Sequence, residues 1–101
     1  MTHKKYEVDL LEKLKDSQEA AEYLNACFED SEEVFLLGLR QVVDAHGGVG
    51  LLAEQTNLNR ESLYRMLSEK GNPQLSSLSP ILENLGLKLQ FAPLDEDKLA
   101  A

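Results

Sequence analysis

Asn59, Arg60, Glu61, Ser62, Tyr64 and Arg65 fall within seven consecutive positions, interrupted by Leu63 and followed by Met66 and Leu67. On a helix the three apolar residues share the inward face, and removing them leaves the six polar residues as the candidate outward set. That polar set matches base-edge chemistry. Arginine donates a bidentate pair to guanine O6 and N7, and asparagine pairs with adenine. Glutamate accepts from cytosine N4, or holds an arginine in place. Tyrosine offers a hydroxyl to phosphate and a ring to a thymine methyl. Lys70 and Asn72, a few residues on, suit phosphate contacts. Gln55, just upstream, completes the candidate DNA-contacting set. Gly47-Gly48 leaves room for a phosphate at the amides of the next helix N-terminus.

These groups need a scaffold of short helices. Gly50–Leu67, GLLAEQTNLNRESLYRML, reads as two helices joined by a three-residue turn. The first runs from about Val49 to Thr56, with the small Ala53 where the helices cross. Asn57 suits the left-handed backbone a tight turn demands. Leu58 is the buried residue after the turn, and Asn59 caps the second helix, Arg60 to Leu67. This is a helix-turn-helix pattern, whose second helix enters the major groove. An ordinary αα-hairpin would share the apolar pattern. The exposed tyrosine and two arginines on one face favour the DNA-binding version.

The flanking elements are also helical. Ser17 is expected to cap a helix from Gln18 to Phe28, with Ala21, Leu24 and Phe28 inward. Asp30 is expected to cap the next, with Glu33 completing a capping box. Phe35, Leu36, Leu39, Val42 and Val43 form its apolar face, and Gly47-Gly48 ends it. After a loop at Ser68–Pro73, Leu75, Leu78, Ile81, Leu82 and Leu85 predict a further helix, with a late start or kink at Pro80. Leu87–Phe91 alternates apolar and polar residues, as a short strand would. Residues 1–16 read as a poorly packed arm, 17–94 as the helical domain and 95–101 as an acidic tail.

Other chemistries find little support. His3, His46 and Cys27 lack metal-ligand spacing. His46 fits the C-terminal end of a helix better than a catalytic role. Serines 62, 68, 76, 77 and 79 lack a nucleophile-elbow motif. Gly47–Gly50, GGVG, is too short for a nucleotide-binding loop and lacks its lysine. The expectation is therefore a non-enzyme with no cofactor and no metal.

Composition bounds the rest. The 101 residues allow one small domain, and 43% hydrophobic content is that of a globular chain. The net charge of −8 and a pI near 4.6 at first oppose a polyanionic partner. The charge is unevenly placed, however. Residues 1–33 hold four lysines against ten acids, net −6, whereas residues 34–94 hold five of each sign. The acid lies at the ends and the candidate DNA-contacting middle is neutral. The longest apolar run, Val34–Leu37, falls far short of a membrane span of roughly 18 residues. No secretory signal is visible at the start. The lone Cys27 fits a reducing cytoplasm.

Three stretches carry a family resemblance: AAEYLNACFED, then VFLLGLRQVVDAHGGVGLLAEQTNLNRESLYRMLSEKGNPQLSSL, then LENLGLKLQF. Together, from about Glu19 to Pro93, the chain resembles the HigA-like addiction module antidote proteins. The resemblance implies an all-α, lambda-repressor-like helix-turn-helix domain of about five helices with a short C-terminal strand. It implies binding of double-stranded operator DNA through Gly48–Leu67, repression of the operon, and a toxin partner of RelE/ParE type. Asn59, Arg60, Glu61, Ser62, Tyr64 and Arg65 carry over as the recognition surface. Two positions depart from the family's pattern. Gly48 stands where a polar residue or methionine is common, and Pro80 where a helix-friendly residue is usual.

A homodimer is expected, presenting two recognition helices about one helical turn, ~34 Å, apart. Leu87–Phe91 and the helix before it are the candidate contact. The acidic N-terminal segment is expected to face a basic toxin, where opposite charge speeds association. A stand-alone regulator without a toxin, and an interaction module that has lost DNA binding, are the rival expectations.

Overall fold

The computed structural model describes residues 2–95, with side chains from Lys5 onward. Six helices follow one another: α1 (Thr2–Leu14), α2 (Ser17–Asp30), α3 (Glu32–Ala45), α4 (Val49–Thr56), α5 (Arg60–Met66) and α6 (Leu75–Asn84). Most of the expected acidic tail, residues 96–101, lies outside the described residues.

The N-terminal stretch differs from the poorly packed arm expected from its sequence. It forms α1, which lies against both α2 and α3. Leu14 is 1% exposed, and Leu10 and Leu11 pack against the core. The apolar residues that hold α1 cluster at its C-terminal end, while Tyr6 and Val8 stay exposed. Among the described residues this helix brings the number to six, against the expected five or so.

Helices α2 and α3 start at side-chain caps, each one residue away from the sequence expectation. Asp16, not Ser17, caps α2, accepting from the N–H groups of Gln18 at 2.8 Å and Glu19 at 3.3 Å. Ser31, not Asp30, caps α3: its Oγ accepts from Val34 N–H at 3.1 Å. Ser31 also closes α2, its own N–H donating to the Cys27 carbonyl. The reversal between α2 and α3 thus passes through a single extended residue, and the two helices pack along each other. Gly38 makes the approach possible. A β-carbon there would lie 2.8 Å from Cys27 Sγ.

The core is aliphatic. Leu24, Leu39, Val42, Val43, Leu52, Leu63, Leu67, Ile81 and Leu82 meet in one cluster, with no buried polar or charged residue among those described. Burying such side chains contributes on the order of 1.5–3 kcal/mol each. Phe28 departs from its expected inward role and is 63% exposed, because the buried stripe of α2 is Ala20, Leu24 and Cys27. Its ring meets the Phe35 ring edge-on at 5.3 Å. Leu75 is also exposed, while Ile81, Leu82 and Leu85 are buried as expected.

At the C-terminal end, α6 starts at Leu75 and runs through Pro80 to Asn84. There is no late start. The expected strand at Leu87–Phe91 does not form: the described residues contain no strand, and this segment is irregular. A strand needs a neighbour to satisfy its backbone, and none of the described segments supplies one. Leu87 packs against the core, whereas Phe91 is 94% exposed.

Candidate nucleic-acid interface

Gly47 and Gly48 both adopt positive φ, at 111° and 92°, and turn the chain from α3 into α4. Helices α4 and α5 then pack on each other, and α4 also rests on α3 and α6. The three-residue turn between them, 57–59, has the expected backbone. Asn57 sits at φ 61°, the sole non-glycine positive φ among the described residues. Thr56 Oγ1 donates to the Leu52 carbonyl at 2.7 Å, closing α4 just before the turn. Leu58 packs inward.

Asn59 caps α5, its Oδ1 accepting from Ser62 N–H at 2.9 Å. The same oxygen would have to serve the amino group in a bidentate adenine contact. The first task of Asn59 is therefore to start the helix. Leu63, fully buried, pins the inner face of α5. Arg60, Glu61, Tyr64 and Arg65 are exposed on the outer face, Tyr64 at 53%. Ser62 is half-buried.

The far end of α5 is held from two sides. Arg40 of α3 donates through Nη1 to the Leu67 carbonyl, satisfying a helix-end acceptor. The following loop crosses so closely that a β-carbon at Gly71 would collide with the Met66 carbonyl oxygen. An open groove results, lined by Ser62, Arg65, Lys70, Asn72, Gln74 and Ser77 among others. Four of the sequence-predicted residues therefore share one concave surface: Ser62, Arg65, Lys70 and Asn72. Gln55 is exposed on α4, with no described contact to the others.

Arg60 adopts a defined position. Its guanidinium carbon is 5.8 Å from the centroid of the Tyr64 ring. It also approaches the bare backbone of Gly50 in α4. Glu61 does not hold an arginine. The ion pairs among the described residues are Lys13–Glu19 and Lys15–Glu12, both on the N-terminal side. Arg40, Gly50, Gln74 and Ser77 were not among the residues expected at this surface. Arg40 and Gly50 act across helix–helix contacts, which local pattern does not reveal. Ser77 carried a signal, a serine in the first turn of a helix that follows the loop bearing Lys70 and Asn72.

The groups displaced from their ordinary titration range lie elsewhere. Burial between α2 and α3 pushes up both the Tyr23 hydroxyl and the Cys27 thiol. Tyr23 donates to Gln41 Oε1 at 2.6 Å. Among the described residues, no group of three or more His, Cys, Asp or Glu side chains is placed to hold a metal. No described helix is long and apolar enough to cross a membrane.

Comparison with known proteins places these features in context. A family model described as probable addiction module antidote protein matches residues 4–93. A relative in Haemophilus influenzae, an uncharacterized protein, is 31% identical over 91 residues, covering 89% of this chain and 93% of that one. No solved structure gives a significant match. The match takes in all of α2 to α6 and most of α1. The chain belongs to the family of probable addiction module antidote proteins.

Proposed function

We propose that this protein is a HigA-like antitoxin that represses its own operon through a lambda-repressor-like helix-turn-helix formed by α4 and α5. The observation that carries this reading is the outer face of α5. Arg60, Glu61, Tyr64 and Arg65 are exposed there, on a helix fixed at its start by Asn59 and at its end by Arg40. Base readout demands side chains of this kind on a rigid element that can enter the major groove. Arg60 and Arg65 read bases. Lys70 and Asn72, beside Arg65 in the groove, contact phosphates.

The protein acts as a homodimer, since one small module buries only on the order of 600–1,000 Å² of DNA interface. Its toxin is a small basic protein of RelE/ParE type. Ten of the eighteen acids lie in residues 1–33, giving the N-terminal helices a field that attracts a basic partner.

Two measurements test the proposal. In a gel shift with the DNA upstream of its own reading frame, the protein should bind more tightly than to scrambled duplex, as a dimer. Co-expression with the product of the adjacent reading frame should yield a stable complex. Equal affinity for scrambled DNA rejects the repressor role, and no complex with an adjacent basic protein rejects the antitoxin role.

A further inference from the structure

We propose that Tyr64 and Gly50 are positioning residues that set the direction in which Arg60 reads DNA, and so determine specificity at the base pair Arg60 contacts. The inference rests on the DNA-binding role of α5 and deepens it.

Arginine on a helix surface ordinarily samples many rotamers, and ordering it on binding costs conformational entropy. Arg60 is at the first position of α5, and Tyr64 is one turn further on, so their side chains are neighbours. The guanidinium carbon lies 5.8 Å from the ring centroid. On its α4 side the guanidinium is bordered by Gly50. A β-carbon built there would sit 3.7 Å from Arg60 Cζ, 3.8 Å from Nη2 and 3.9 Å from Nε. Those are ordinary van der Waals distances. A methyl group fits at position 50, but a branched or longer side chain would enter the space the guanidinium occupies.

The type of restraint matters as much as its existence. A carboxylate clamp would also orient Arg60, but it would consume N–H donors and cancel the charge. Glu61 is adjacent, yet no ion pair joins it to Arg60. An aromatic face attracts the cation while leaving the donors at the guanidinium edge free for guanine. The shelf of Tyr64 and Gly50 thus orients Arg60 without occupying the groups that read.

The experiment uses the full chain with selection from a randomised duplex library, alongside proton NMR of the free protein. Parent, Arg60→Ala, Tyr64→Leu, Tyr64→Phe, Gly50→Ala and Gly50→Leu are compared, each checked by thermal melting. Arg60→Ala should lose discrimination at one base pair per half-site, on the order of 5- to 150-fold. Tyr64→Leu and Gly50→Leu should weaken discrimination at that same pair by about two- to fivefold. Tyr64→Phe and Gly50→Ala should keep it. In the free protein, the Arg60 δ-protons should be ring-shifted upfield in parent and Tyr64→Phe, and not in Tyr64→Leu. Parental discrimination in Tyr64→Leu, or δ-protons unmoved by loss of the ring, overturns the proposal while the DNA-binding role stands. A parent that enriches no sequence overturns both.

Discussion

His46 Nε2 lies 3.2 Å from the main-chain oxygen of Leu14, joining the end of α3 to the end of α1. A carbonyl only accepts, so Nε2 carries the proton and donates. The contact fastens α1 beside Leu14, the one fully buried side chain among the described residues of that helix. Leu14→Ala should therefore cost ~2–5 kcal/mol, lowering Tm by roughly 4–8 °C per kcal/mol. His46→Ala should cost about 1 kcal/mol. Removing residues 1–14 should destabilise the whole domain, as thermal melting would show; an unchanged Tm would mean α1 is a detachable arm after all.

Arg60 and Arg65 should each contribute to operator affinity. Alanine at either should cost roughly 1–3 kcal/mol per lost base contact, with the fold unchanged. Quantitative gel shifts at fixed salt measure this, because phosphate contacts make the affinity salt-dependent. A double variant that binds like the parent would remove α5 from the reading role.

Asn57 is the residue on which the turn depends. Its φ of 61° costs most L-residues about 1–2 kcal/mol, and asparagine less. Asn57→Ala should accordingly lower stability by about 1 kcal/mol, and Asn57→Gly should be close to neutral. Urea denaturation of the three proteins gives the comparison; equal midpoints for alanine and glycine would show that the turn relaxes.

The buried thiol of Cys27 gives a pH dependence with a defined sign. Its pKa is raised in the folded protein, chiefly by desolvation, so the unfolded chain loses that proton at lower pH. Stability is then fully present below the ordinary thiol range and falls as pH rises through it. Tyr23 adds a loss of the same sign at still higher pH. Between about pH 8 and about pH 10, Cys27→Ala should lose less stability than the parent. Equal losses would show that the thiol does not contribute.

Local signals were sufficient for the candidate interface. The positive φ of Asn57, the cap by Asn59 and the burial of Leu63 are each set by residues within one or two turns, and all three were readable. The caps of α2 and α3 were harder because each start offers an adjacent acid and serine, Asp16-Ser17 and Asp30-Ser31. Either member can cap, and the local sequence does not choose between them. Helix α1 was missed because its middle is polar and its burial depends on α3, far away in sequence. Leu87–Phe91 alternates like a strand, yet alternation has meaning only where a pairing partner exists. The setting of Arg60 between Tyr64 and Gly50 required the α4–α5 crossing itself.

Helix α5 is only seven residues long. At ~1.5 Å rise per residue it extends about 10 Å, the length of about three base steps at ~3.4 Å. With four choices at each step, one such helix distinguishes on the order of 64 sequences at best. In the proposed role, a match to a single copy would recur every few dozen base pairs and carry almost no address. Two copies in fixed spacing multiply that number by itself, to about four thousand. The brevity of α5 thus converts a question of chemistry into one of information: pairing is what makes a reading head this short worth positioning so carefully.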